Sequence, residues 1–445
     1  MSDASRSFGV FDADHPPSPD VVSDCVHCGF CLPACPTYLL WGKEMDSPRG
    51  RIYLTKLGLD GAVPLSPVFA SHIDSCLGCM ACVTACPSGV RYDQLIEATR
   101  PQVERCVDRR LPDRLFRRML FTLFPHPDRL RVAATLLWVY QRLGLRALAR
   151  GTGMLSLLPP RLRAMEAVLP PVSLAGAWRD TAFRVPALGE RRRRVGLLLG
   201  CVQRVFFDDV NAATIRVLTS EGCEVLIPPA QGCCGALMLH AGDEAAAIAA
   251  ARRFIDAFEP VLSEVDTIAI NAAGCGSTLK EYGHLLRDEP GYAERGRALA
   301  EKCRDVSELL AELEPRAPRH PVPLRIAYHD ACHLQHAQGV SAEPRQVLAT
   351  IPELEVREIP EAGICCGSAG IYNLVEPETA ADLGERKAAH IRGTGADAVV
   401  SSNPGCLLQI ASRLERDGAP VPTYHLVELL DASIRGERLG DSKNR

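Results

Sequence analysis

The sequence predicts an α+β multidomain chain, and three observations predict it. Two cysteine strings of identical spacing stand near the N-terminus, a long arginine-rich segment of helical periodicity follows, and the second half carries one alternating pattern of short apolar runs and helices twice over. With 445 residues, 47% of them hydrophobic, the chain is long enough for several cores.

Residues 1–19 are polar and contain Pro16, Pro17 and Pro19. They lack the basic-then-apolar order of a signal peptide, so a flexible arm is expected. The longest apolar stretch, Val132 to Tyr140, is flanked by Arg131 and Arg142 and falls well short of the ~20 residues of a membrane span. A soluble or peripheral protein follows.

Residues 20–105 hold the cysteine strings, Cys25-x2-Cys28-x2-Cys31-x3-Cys35-Pro36 and Cys76-x2-Cys79-x2-Cys82-x3-Cys86-Pro87. Three thiolates at this spacing fold over one corner of a cubane, while the fourth reaches the neighbouring cluster. Cys25, Cys28, Cys31 and Cys86 are therefore assigned to one 4Fe-4S cluster, and Cys35, Cys76, Cys79 and Cys82 to a second. A zinc site takes four ligands, usually in two pairs, and would leave a thiolate over. Structural disulfides lack an export signal to support them. Between the strings, Ser47-Pro48 and Ser66-Pro67 read as helix starts, a cap followed by proline. A helical two-cluster ferredoxin domain results. Arg49 and Arg51 either offset the clusters' negative charge or form a solvated helix start.

Residues 106–194 form the basic middle. From Arg91 to Arg194 there are 21 arginines, no lysine and nine acidic residues, although the whole chain carries −4. Leu115–Phe124 and Arg129–Arg150 read as amphipathic helices, with Arg142, Arg146 and Arg150 on one side and Leu136, Leu137, Leu143 and Leu148 for another. Such a helix can lie on an anionic bilayer, dock on an acidic partner or simply face solvent. Sparse aromatics and the lack of a binding motif exclude nucleic acid. The prolines of 151–194 make a linker, and Arg191 to Arg194 read as its solvated boundary.

The repeat divides the remainder into modules at 195–315 and 324–436. Val195–Cys201 matches Ile326–Cys332, Gly232–Gly235 matches Ile364–Gly367, Ala273–Cys275 matches Pro404–Cys406, and Asp305–Leu310 echoes His425–Leu430. Apolar runs such as Val195–Leu199, Glu224–Ile227 and Thr267–Ile270 alternate with helical stretches such as Asp208–Thr219 and Asp243–Ala257, which predicts parallel α/β units facing each other across a pseudo-twofold. Ligands of such sheets gather at the carboxyl ends of the strands, so each module's cysteines should converge.

The stretches CVHCGFCLPACPTY, MDSPRGRIYL, CPSGVRY, GCCGALMLH, LQHAQ and CCGSAGIYNL resemble the iron-sulfur subunit of bacterial glycolate oxidase across nearly the whole chain. Each repeat also resembles the CCG module of heterodisulfide reductase-like proteins, in which five cysteines bind a cluster. Here the last of the five is replaced by Thr278 and by Gln409. Cys201, Cys233, Cys234 and Cys275, and Cys332, Cys365, Cys366 and Cys406, either hold a further iron-sulfur cluster or only pack. Cys106, Cys223 and Cys303 lack partner spacing and read as small buried hydrophobes. His329, Asp330, His333 and His336 bracket Cys332, for proton relay or acceptor contact on one reading and for capping and packing on the other.

Gly393 to Ala398 nominally fits a dinucleotide fingerprint but follows a helix and precedes a strand, the reverse of the required order. With no flavin or nicotinamide site, the chain alone should not oxidise an alcohol. The resemblance implies an electron-transfer subunit of glycolate dehydrogenase, with FAD only on partner subunits that convert glycolate to glyoxylate. It also implies a membrane electron acceptor such as a quinone, and a cytoplasmic, peripheral position on the inner face of the inner membrane. The competing expectations are the equivalent subunit of a glycerol-3-phosphate or lactate dehydrogenase, a disulfide reductase whose CCG site is fed by the ferredoxin domain, and a scaffold with degenerate sites.

Overall fold

The computed structural model describes residues 8–416 and 420–440. In the N-terminal unit both expected caps are formed. Ser47 accepts from the Gly50 amide ahead of the helix Pro48–Leu59, and Ser66 accepts from the Phe69 amide ahead of Pro67–Asp74. These helices and Tyr92–Cys106 enclose Ile52, Phe69, Ile73, Leu95 and Ile96. Residues 1–7 of the expected arm lie outside the described residues, and from Phe8 onward the arm is packed rather than loose. Phe11 is buried edge-on against Phe69, Asp12 pairs with Arg105 at 2.8 Å, and His15 Nδ1 lies 2.9 Å from Glu244. One buried aromatic and two charge contacts outweigh the polarity of the segment.

The basic middle is helical, but its second helix is not continuous. Pro127–Arg142 ends where Gly144 takes φ +69°, a conformation that glycine adopts without strain, and Leu145–Gly151 begins a new direction. Arg142, Arg146 and Arg150 therefore do not share one helix face. Arg146 and Arg150 both bind Glu166 at 3.1 Å. The arginine run is not merely a solvated boundary either: Arg193 and Arg194 open a strand, with Arg194 2.6 Å from Glu224 and Arg193 2.8 Å from Glu312.

The two modules contain parallel sheets of one topology. The strands are β1 (Arg184–Val185), β2 (Arg193–Leu197), β3 (Cys223–Leu226), β4 (Thr267–Ile270), β5 (Cys303–Asp305), β6 (Arg325–His329), β7 (Glu355–Glu358), β8 (Ala398–Ser401) and β9 (Thr423–His425). The first sheet runs β1-β3-β2-β4-β5, with only β1 antiparallel, and the second runs β7-β6-β8-β9. Removing β1 leaves the same order twice. The repeat also explains matched helix starts: Asp305 and His425 each cap the following helix, with Glu308 and Glu428 returning the hydrogen bond.

The modules pack reciprocally. Asp208–Ser220 of the first lies on Leu426–Arg435 of the second, and Val306–Glu312 of the first lies on Ala342–Ala349 of the second. Each of these helices has its counterpart in the opposite pair, which is the signature of a twofold relation. Between them a shared core joins Val195, Leu197, Val217 and Leu309 to Ile326, Tyr328, Val400 and Leu426.

Candidate metal centres

The first cysteine loop is held by left-handed residues, His27 at φ +54° and Gly29 at φ +86°. They turn the chain around a cavity lined by Cys25, Cys28, Cys31, Cys82 and Cys86, with Arg49 and Tyr92 on its wall. Cys28 is exposed, and Val26 and Phe30 beside it are 68% and 65% exposed, so this cavity reaches the surface. Arg49 spans its rim, donating to the His27 carbonyl at 3.0 Å and to Glu44 at 2.7 Å.

A second cavity is lined by Cys35, Cys76, Cys79 and Cys82, all buried, with Thr37, Arg51 and Leu77. Gly78 at φ +66° and Met80 at φ +61° form its loop. Arg51 is 1% exposed, donating to the His72 carbonyl, Thr37 and Ser75. Burial works against its charge, yet Cys76, Tyr92, Cys35 and Asp46 outweigh that and hold its pKa up. Arg100 donates to the Cys76 carbonyl at 2.5 Å. Burial pushes the Cys76 thiol up, but Arg51, Arg100, the Tyr92 hydroxyl and the Gly78 amide reverse this and hold it below its ordinary value. Cys79 and Cys82 are pushed well above theirs, chiefly by burial and then by neighbouring thiols. A buried pocket of four sulfurs with the Arg51 guanidinium on its wall and that of Arg100 on the Cys76 carbonyl fits an anionic thiolate-bound iron-sulfur cluster.

In the modules the cysteines lie at the carboxyl ends of strands. Cys201 Sγ is 3.5 Å from Cys233 Sγ, and the contact continues through Cys234 to Cys275. In the second module Cys332 Sγ lies 3.9 Å from Cys365 Sγ, with Cys366 and then Cys406 beyond. The positions of the missing fifth cysteines are otherwise engaged: Thr278 reaches the Gly274 carbonyl, and Gln409 donates to Ala380 and accepts from Asn373. Cys223 and Cys303 are fully buried, and burial pushes their thiols up to about 11 and about 12. Cys106 departs from its expected burial and is exposed, 3.9 Å from Asp12.

The ferredoxin unit docks its second loop on the second module. Leu77 and Cys79 share a buried cluster with Cys332, Cys365 and Tyr372. His333 Nε2 lies 2.8 Å from the Gly78 carbonyl, His336 Nδ1 3.0 Å from Thr84, and Tyr372 donates to the Ser75 carbonyl at 3.0 Å. His333 and His336 thus hydrogen-bond across the interface, and Asp330 is held by Arg345 at 2.7 Å. His329 behaves differently. It is 1% exposed, neither ring nitrogen has a hydrogen-bond partner among the described residues, and it can converge with Cys366 and Cys406 on one metal ion. Sequence reasoning grouped it with its neighbours, although it ends β6, a central strand buried from Ile326 to His329.

Residues 21–90 match the family described as the 4Fe-4S dicluster domain, 112–169 the glycolate oxidase iron-sulfur subunit linker region, and 195–280 and 326–411 the cysteine-rich domain. The chain is 42% identical over 413 residues to the probable glycolate oxidase iron-sulfur subunit of Bacillus subtilis, covering 92% of this chain and 93% of that one. It is 36% identical over 421 residues to the glycolate oxidase iron-sulfur subunit of Escherichia coli, covering 94% and 95%. A fumarate reductase (CoM/CoB) subunit of Methanothermobacter marburgensis matches at 38% over 239 residues, but over only 54% of this chain and 46% of that one. Matched in its cluster loops, its linker and both modules, and similar to two relatives almost from end to end, the chain belongs to the family of glycolate oxidase iron-sulfur subunits.

Proposed function

We propose that this chain is the electron-transfer subunit of a glycolate dehydrogenase. A partner subunit carrying FAD oxidises glycolate to glyoxylate, and the electrons leave for a membrane acceptor, a quinone by its chemistry. Cys25, Cys28, Cys31 and Cys86 hold one 4Fe-4S cluster and Cys35, Cys76, Cys79 and Cys82 a second, while the cysteines of the modules hold further iron-sulfur centres. When bound, such clusters supply one-electron transfer. The protein's own groups set the conditions: Arg51 and Arg100 place positive charge beside Cys76, and Leu77 and Met80 keep water out.

The observation that carries this reading is the continuity of sulfur sites. The exposed Cys28 loop leads to the buried second set, and Cys79 of that set lies in the same apolar cluster as Cys332 and Cys365. Substrate oxidation belongs to the partner, since the two-electron step needs a cofactor such as flavin.

The same reading puts the chain on the cytoplasmic face of the inner membrane. Among the described residues no helix is long and apolar enough to cross a bilayer. Val132, Leu136, Val139 and Leu143 nevertheless form an exposed apolar stripe at helical spacing amid the arginines of the middle region. An apolar stripe amid basic residues suits an anionic lipid surface.

The test uses the isolated chain and the reconstituted complex. The isolated chain should show no glycolate oxidation with an artificial dye, and the flavoprotein partner should restore it. Cys79→Ser should abolish reduction of the natural acceptor while the partner's flavin is still reduced by glycolate, with partner retention checked in the same preparation. Glycolate oxidation by the isolated chain would overturn the assignment.

A further inference from the structure

The repeat makes the two modules comparable position by position, and they differ at one buried position beside the cysteines. Val195–Cys201 aligns with Ile326–Cys332, so His329 stands where the first module has Leu198. Leu198 is 1% exposed and packs in the same apolar cluster as Cys201, Cys233 and Cys234. His329 is just as buried and ends β6, beside Ser401 of β8, at the carboxyl edge where Cys332 and Cys406 follow their strands. A leucine there is satisfied by packing. An imidazole is not, because it presents a donor and an acceptor that buried polar groups almost always pair.

Both ring nitrogens of His329 lack a hydrogen-bond partner among the described residues. A ring nitrogen of His329 and the sulfurs of Cys366 and Cys406 all lie within 4.8 Å of one another, the spacing of donors that share one metal ion. The fifth position of the cysteine pattern does not compete, since Gln409 is committed to Ala380 and Asn373. The second module therefore offers five donors, four thiolates and one imidazole, whereas the first offers four thiolates.

We propose that His329 is a metal ligand of the second module, coordinating through one ring nitrogen an iron of the iron-sulfur cluster held by Cys332, Cys365, Cys366 and Cys406. The inference rests on the reading that this module holds a cluster. The two modules then carry centres of different ligand chemistry. Measured against the five-thiolate pattern, a neutral imidazole takes the place of the fifth thiolate, and such a replacement raises a cluster's potential, as it does when histidines replace cysteines on one iron of a two-iron centre. The centre that receives electrons across the Cys79 contact is thus the histidine-ligated one.

The test uses full-length chain purified anaerobically, with iron and sulfide counted before spectroscopy. Iron well above the roughly eight atoms that two cubanes hold establishes that the modules are loaded. An iron content of only about eight overturns both the cluster reading and this proposal. In loaded protein grown with nitrogen-labelled histidine, pulsed EPR should show one directly coupled histidine nitrogen. That coupling should vanish in His329→Leu, which installs the residue of the first module, and persist in His240→Leu, a half-buried histidine whose ring nitrogens also make no hydrogen bond among the described residues. Mössbauer spectra, which need no paramagnetic state, should show one distinct iron site lost in His329→Cys while total iron is retained. A loaded wild-type chain without histidine coupling, or Mössbauer spectra identical in wild type and His329→Cys, would overturn the histidine ligand and leave the cluster reading standing.

Discussion

Replacing Arg51 by methionine should lower the reduction potential of the cluster proposed at Cys35, Cys76, Cys79 and Cys82. Arg51 Nη2 lies 3.2 Å from Thr37 Oγ1, which lies 3.2 Å from Cys35 Sγ, so the guanidinium is at most about 6.4 Å from that sulfur. At an effective dielectric of about 20, a unit charge at that distance is worth on the order of 2–3 kcal/mol to an added electron, or ~100 mV for a one-electron couple. Adding an electron becomes harder once the cation is gone, so the shift is negative. Arg51→Lys keeps the charge and should retain most of the potential, which separates electrostatics from packing. The assay is a redox titration followed by EPR on anaerobically purified protein, with iron counted to establish that the cluster survives. A potential unchanged within about 20 mV in a fully loaded Arg51→Met chain would refute the reasoning, because a charge this close and this dry cannot be screened by solvent.

Three further outcomes are expected. Cys35→Ser should disturb the cluster shared with Cys76, Cys79 and Cys82 and spare the other; loss confined to the Cys25, Cys28 and Cys31 centre, read by EPR, would reverse the ligand assignment. Leu136→Asp combined with Val139→Asp should reduce co-sedimentation with anionic vesicles severalfold at low salt without changing iron content, and unchanged sedimentation would detach the middle region from the membrane. Burial, followed by the charges of Asp93 and Glu281, pushes the Glu97 carboxyl up to about 8. The folded chain therefore binds a proton that the unfolded chain releases above pH 4.5, and stability should fall as pH rises from there to about 8. The drop should be on the order of 2 kcal/mol, moderated because the side chain keeps 18% exposure. Glu97→Gln should flatten that slope in denaturant titrations, and an unaltered slope would assign the pH dependence elsewhere.

What the sequence determined by itself was whatever depends on local spacing. The cysteine strings, the Ser-Pro helix starts at 47 and 66, and the matched runs after 195 encode turns, caps and strand periods within a few residues of one another. Those features emerged as two sulfur-lined cavities, two capped helices and two sheets of one strand order. Tertiary structure alone decided whatever depends on which surfaces meet. Arg51 reads locally as an ordinary residue of a helix start, and only the closing of Tyr92–Cys106 and the second loop over it buries its charge beside Cys76. The expected arginine face at 142, 146 and 150 failed because one glycine redirects the helix and because Glu166, distant in sequence, draws in two of the three. The residues from Phe8 onward looked loose because their partners Phe69, Arg105 and Glu244 lie in other elements. His329 is indistinguishable by spacing from His333 and His336. Those two find carbonyl and hydroxyl partners across a domain interface, while the buried end of the central strand β6 leaves His329, among the described residues, with none but the sulfurs.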